Sequence, residues 1–103
     1  MTKVKIAVVQ FKLESTTEKN FKKAEKFIQK ASLKKANIII FPENFISTSG
    51  KKKEIFIDSD KKFLKFFQGM AKKYKIDVVP GSVIERNWFG KKYNVSYYID
   101  SYG

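Results

Sequence analysis

Ala36-Asn37-Ile38-Ile39-Ile40-Phe41-Pro42-Glu43-Asn44-Phe45 is an apolar run that ends on a proline and an acid. Three consecutive isoleucines crowd a helical turn but suit a strand, because β-branched side chains are stiff at χ1. Pro42 has no N–H to give to a ladder, so the strand stops near it. Upstream, residues 4–11 (Val-Lys-Ile-Ala-Val-Val-Gln-Phe) are mostly apolar and read as a buried strand. Between the two lies Ser15-Thr16-Thr17-Glu18, a capping-box pattern. Phe21, Ala24, Phe27, Ile28 and Ala31 then recur at three- and four-residue spacing, with Lys19, Lys22, Lys23, Lys26 and Lys30 mostly on other faces. That is an amphipathic helix of roughly four turns. Strand, helix, strand is the order of a βαβ unit with parallel strands.

Downstream, residues 46–59 are polar and loop-like, with Ser47-Thr48-Ser49-Gly50 and the run Lys51-Lys52-Lys53. Asp58, Ser59 or Asp60 is placed to cap a second helix. Its apolar stripe is Phe63, Phe66, Phe67, Met70 and Tyr74, broadened by Leu64 and Ala71 and weakened by Gly69. A third strand is expected over 76–85, interrupted by Pro80-Gly81. Trp88-Phe89-Gly90-Lys91 reads as a hairpin connection, and a fourth strand over 92–100 leads to Ser101-Tyr102-Gly103. A turn glycine normally leads into another strand, so the sequence reads as one that continues. The expected class is α/β, in the order β-α-β-α-β-β. With no repeat, low-complexity tract or linker, residues 1–103 form one unit.

Composition narrows the chemistry. There is no cysteine and no histidine among the 103 residues. That excludes disulfides, zinc ribbons, iron–sulfur clusters, a cysteine nucleophile and a serine–histidine triad within this sequence. No cofactor or metal is implied. The net charge is +12, from 22 basic residues of which only Arg86 is an arginine. Lysines are spread along nearly the whole chain, whereas base readout and bidentate phosphate recognition favour arginine. The balance fits a solvated lysine-rich surface and argues against nucleic acid as a partner. No apolar run is long enough to span a bilayer, and Ile6–Val9 is too short for a signal-peptide core. The expectation is a cytoplasmic protein with no membrane partner.

In open α/β sheets ligands bind beyond the carboxyl ends of the parallel strands. Gln10-Phe11 and Phe41-Pro42-Glu43-Asn44-Phe45 lie there. Glu43 follows a rigid proline, and Phe41 and Phe45 flank it where they could shield it from water and raise its pKa toward that of a general base. A Pro-Glu after a strand is more often a plain turn with a solvated acid, and from position alone that reading leads.

The pattern Lys5-Ile6-Ala7-Val8-Val9-Gln10, a helix, then Asn37-Ile38-Ile39-Ile40-Phe41-Pro42-Glu43-Asn44-Phe45 resembles the start of the nitrilase superfamily of carbon–nitrogen hydrolases. Val79-Pro80-Gly81-Ser82-Val83-Ile84-Glu85-Arg86, then Lys92-Tyr93-Asn94-Val95-Ser96-Tyr97-Tyr98-Ile99 and Gly103, fit the same pattern. The resemblance covers essentially the whole chain, with Phe-Pro-Glu its most specific part. It implies an α–β–β–α sandwich, here incomplete, and a Glu–Lys–Cys triad. In that triad cysteine attacks an amide or nitrile carbon, glutamate moves the proton, and lysine stabilises the tetrahedral intermediate.

Glu43 matches the glutamate. The family's lysine lies shortly beyond the turn glycine; Lys91 and Lys92 precede Tyr93-Asn94 and do not occupy its place. The family's cysteine has no counterpart. The resemblance therefore implies the N-terminal part of a hydrolase, inactive alone. It would be a piece of a longer enzyme, one half of a split enzyme, or a small protein with a binding role. Its partners would be an amide or nitrile substrate once completed, and a second copy or second chain covering the exposed sheet. The alternative is a non-catalytic basic module. In it Lys51-Lys52-Lys53, Trp88, Phe89, Lys91 and Lys92 would bind single-stranded nucleic acid or a protein partner. Residues 46–59 offer the one candidate substrate loop.

Overall fold

The computed structural model describes residues 3–47 and 56–103. Its elements are β1 (Ile6–Val8), α1 (Thr17–Leu33), β2 (Ile38–Ile40), β3 (Ile57–Asp58), α2 (Lys62–Tyr74), β4 (Asp77–Val79), β5 (Ser82–Arg86) and β6 (Lys92–Ser96). The α/β class holds, but the order gains two strands. One is β3, inside the stretch read as a loop. The other arises because the expected strand over 76–85 is two strands in different sheets.

The first sheet has the order β1-β2-β4 and is parallel throughout, with Ala7 opposite Ile39 and Ile39 opposite Val78. The second has the order β3-β5-β6, parallel between β3 and β5 and antiparallel between β5 and β6. Val78 and Ile99 exchange backbone hydrogen bonds of 2.7 and 2.9 Å, which ties the segment after β6 to the free edge of β4.

The chain crosses the first sheet in one direction, from β1 to β2 to β4. Right-handed crossovers then put both helices on the same face. Burial agrees: Ile39 and Val78 are sealed in a core with Ala24 and Ile28 of α1 and Phe63, Phe67 and Ala71 of α2. The opposite face is open. Ile6 is 53% exposed and Val8 75%. The expectation of a buried strand over 4–11 is therefore corrected. The strand spans three residues, and its alternate side chains face a side that the described residues leave uncovered.

Phenylalanines fill the space between helices and sheet. Phe21, Phe45, Phe63 and Phe67 meet at tilted and edge-to-face angles, with centroids 4.8–6.4 Å apart. These geometries suit the ring quadrupole. The helix starts also differ in detail from the expected pattern. Thr16, not Ser15, caps α1, accepting from the Lys19 N–H at 3.1 Å. At α2, Lys61 occupies the cap position in a left-handed conformation and offers no side-chain cap. The side-chain cap comes from two of the expected residues: Asp58 takes the N–H groups of Lys62 and Phe63 on its two oxygens at 3.0 Å each, and Asp60 shares the Lys62 N–H at 3.2 Å. Lys51-Lys52-Lys53 and the rest of 48–55 lie outside the described residues. No helix among the described residues is long and apolar enough to cross a membrane.

Candidate active site

β2 ends at Ile40, and the chain turns at once through residues 43–46. Glu43 sits on that turn, beyond the carboxyl ends of the parallel strands, and its side chain is exposed. Phe41 and Phe45 do not shield it. They point inward, 3% and 1% exposed, and stack on each other at 4.6 Å and 14°. Of the two readings the solvated acid holds, and the shielded one does not: a tight turn after Pro42 sends the two rings into the core and the acid outward. Among the described residues Glu43 forms no ion pair.

The turn itself is held from three sides. The Phe41 N–H donates to the Val79 carbonyl at 2.9 Å, and the Asn44 N–H donates to the Ser82 carbonyl at 3.1 Å. Between these two anchors Gly81, at φ +68°, packs against Pro42; a β-carbon there would stand 2.1 Å from the Pro42 oxygen. Only glycine accepts both that backbone angle and that approach. Gly81 is also where the chain leaves the first sheet for the second, so the sheet switch and the glutamate turn share one piece of packing.

From the helix side, Asn20 is fully buried in α1. Its amide nitrogen donates to the carbonyls of Ile46 and Ser47 at 3.0 and 2.9 Å, and its oxygen accepts from the Glu14 N–H at 2.7 Å. Sequence reading placed Phe21 and Ala24 on the buried face and missed Asn20 beside them. The available signal was its place one residue before Phe21, on the apolar flank of the helix.

A second set of polar groups was also missed. The parallel register of β3 and β5 puts Asp58 opposite Glu85. Glu85 is only 8% exposed, and it accepts from the Lys61 ammonium at 2.6 Å and from the Tyr97 hydroxyl. Burial raises the Tyr97 hydroxyl above its ordinary value, helped by the bond to Glu85. That same carboxylate raises Lys61, chiefly through its hydrogen bond. Asp58 is raised by burial, against the lowering pull of its two backbone N–H donors. The cluster joins β3, β5, the start of α2 and the segment after β6. Its hydrogen bonds help to build the second sheet.

A cavity of about 560 Å³ opens between the first turns of α1 and α2, lined by Glu18, Phe21, Lys62 and Phe66 among others. It shares no residue with the Glu43 turn. Among the described residues no group of three or more carboxylates, histidines or cysteines is placed to hold a metal ion.

This arrangement has counterparts among solved structures. Nit3 from Saccharomyces cerevisiae, described as a member of branch 10 of the nitrilase superfamily, superposes with a TM-score of 0.76 at 24% identity over 97% of this chain and 41% of its own. The NitFhit protein of C. elegans gives 0.76 at 25% identity over 94% of this chain and 25% of its own. An amidase from Nesterenkonia sp. gives 0.69 at 15% identity over 96% and 39%. The chain thus spans less than half the length of each, and its two small sheets and two helices match the nitrilase-superfamily fold. No curated protein sequence matches it. The family model for carbon-nitrogen hydrolases matches residues 5–103, nearly the whole sequence, and the chain belongs to that family.

Proposed function

We infer that this chain carries the general-base part of a carbon–nitrogen hydrolase site of the amidase or nitrilase kind, with Glu43 as the base. The observation that carries the reading is the built turn. Glu43 stands at the carboxyl end of a central parallel strand, open to solvent, on backbone pinned by Gly81, Ser82 and Asn20. A rigid turn fixes where the side chain of Glu43 starts and so confines the space its oxygens can reach, and positioning of the base is what proton transfer in a transition state requires.

In this reading Glu43 removes the proton from a cysteine thiol, and the thiolate attacks the amide carbon. Glu43 then returns the proton to the departing amine, leaving a thioester that water hydrolyses. The nucleophile and the stabilising lysine come from polypeptide other than these 103 residues, which contain no cysteine. The chain alone is expected to hydrolyse neither amides nor nitriles. In a polypeptide that joins it to the lysine and cysteine, Glu43→Gln is expected to lower kcat/KM by roughly a hundred- to ten-thousandfold. Amide hydrolysis by the 103-residue chain itself, abolished by Glu43→Gln, would show that the missing residues are not needed and overturn the reading. The sequence encoded after codon 103 tests it cheaply: a lysine soon after Gly103 and a later cysteine are the expected continuation.

A further inference from the structure

We propose that the tip of the β5–β6 hairpin is a contact site for an anionic lipid surface. Trp88 and Phe89 sit side by side on this tip, 93% and 84% exposed, with ring centroids 5.4 Å apart. Two adjacent large aromatic rings held in water at a hairpin end are costly to solubility, and nothing in the core needs them there. Behind them stands a cationic collar. Arg86 and Lys92 are cross-strand partners at the last pair of the ladder, and Lys91 lies over the Tyr93 ring at 5.4 Å. An apolar tip with indole and phenyl rings, backed by three cations, has the polarity profile of a lipid headgroup boundary. Aromatic rings settle at that level, and lysine and arginine meet the phosphates.

Four amides of the tip are satisfied within it. The side-chain oxygen of Asn87 accepts from the N–H groups of Phe89 and Lys91 at 3.0 Å each, and its carbonyl accepts from Gly90 at 2.9 Å. The Asn87 N–H in turn donates to the Lys91 carbonyl at 2.9 Å. Those amides need no water, so the tip enters the headgroup zone without stranding them. The contact needs no membrane-spanning segment.

Single-stranded nucleic acid fits the tip less well. Base stacking uses a groove that follows the phosphate backbone. An indole exposed to 93% has no groove wall beside it, and the two ring planes diverge by 53°.

Trp88 is the sole tryptophan, so its fluorescence reports the contact directly. The chain is mixed with vesicles of phosphatidylcholine and phosphatidylglycerol, three to one, and with phosphatidylcholine vesicles, at about 0.15 M salt. The expected result is a blue shift and protection from acrylamide with the anionic vesicles only. In co-sedimentation, the double variant Trp88→Ser, Phe89→Ser should partition about tenfold less or weaker still, with unchanged circular dichroism. Lys91→Glu with Lys92→Glu should also lose the anionic vesicles. Sedimentation with Trp88 still fully water-exposed would mean that net charge or another face binds, and would overturn the proposal. Equal shifts with neutral vesicles would do the same. So would quenching of Trp88 by an oligothymidylate while vesicles leave it unchanged.

Discussion

Gly81 lies against the carbonyl of Pro42 so closely that a β-carbon on it would stand 2.1 Å from the oxygen and 2.7 Å from the carbonyl carbon. The contact is backbone on backbone, so no side chain can swing away to relieve it. It is also made at φ +68°, where any other L-residue is strained. Gly81→Ala is therefore expected to cost about 2–4 kcal/mol. Gly69, inside α2, has nothing within 4 Å of the same added atom. Gly69→Ala is expected to stabilise by about 0.8–1 kcal/mol, the helix-propensity difference. Urea unfolding of both variants checks the pair, with Gly81→Ala read in the Gly69→Ala background to keep it folded. A tolerated Gly81→Ala would mean that the β4–β5 switch is not packed on the Glu43 turn.

Asn20 is expected to be nearly as intolerant. Asn20→Ala leaves the Glu14 N–H and the Ile46 and Ser47 carbonyls without their partner at the start of α1. Stranding such groups is expected to cost about 2–3 kcal/mol. Asn20→Asp keeps an acceptor for Glu14 but aims a carboxylate at two carbonyl oxygens, so the loss should be larger. Hydrogen exchange of the Glu14 N–H, which loses its acceptor, should quicken in Asn20→Ala. An unfolding midpoint unchanged in Asn20→Ala would remove Asn20 from the scaffold of the glutamate turn.

The β1-α1-β2 unit was legible because its signals are local. Phe21, Ala24, Ile28 and Ala31 repeat at helical spacing, and the three isoleucines of β2 exclude a helix by sterics alone. The break at Pro80-Gly81 was legible, but the change of sheet across it was not, because apolar residues run on both sides and periodicity does not say which sheet a residue joins. β3 is two residues long and has no period to detect. Ile6 and Val8 read as buried because they are apolar, yet apolarity reports a preference and not the presence of a cover. Nothing local marks Glu85 as a buried acid. Its burial comes from a register with Asp58 more than twenty residues away and from Tyr97, neither of which a local pattern encodes. The place of Glu43 beyond the carboxyl end of β2 was legible from its position after Pro42. Its open setting follows from the inward turn of Phe41 and Phe45, which adjacency in sequence does not reveal.

The two helices are tied by a polar contact that should make stability depend on acid. Glu25 of α1 accepts from the Tyr74 hydroxyl at 2.7 Å and from the Lys73 ammonium at 3.2 Å, both on α2. Its carboxyl is held below the ordinary value of 4.5, first by the Tyr74 hydrogen bond, against burial, which pushes it up, and with further help from Lys73. A depressed folded-state value means the ionised form is favoured by folding. The contribution is therefore complete above 4.5 and is lost as the pH falls through the folded value. Tyr74→Phe removes the larger cause. It should lower the urea midpoint at neutral pH, and the gap to the parent should narrow as the pH drops below 4.5. A gap constant from neutral to acid pH would mean that Tyr74 acts by packing alone.

The open face of the first sheet makes the last expectation. β1 is an edge strand with Val8 75% and Ile6 53% exposed, and Val4 extends the same face. Exposed apolar rows beside an unpaired edge favour association, and charged residues are the usual means of blunting them. If this face is covered by a second copy of the chain, Val8→Lys should shift sedimentation toward the monomer. At dilutions where the parent is also monomeric, stability should stay within about 0.5 kcal/mol of the parent, since Val8 buries little area within one chain. A lysine at position 8 that leaves the association state unchanged would clear the face of that role. A monomeric parent would mean that any cover comes from another polypeptide.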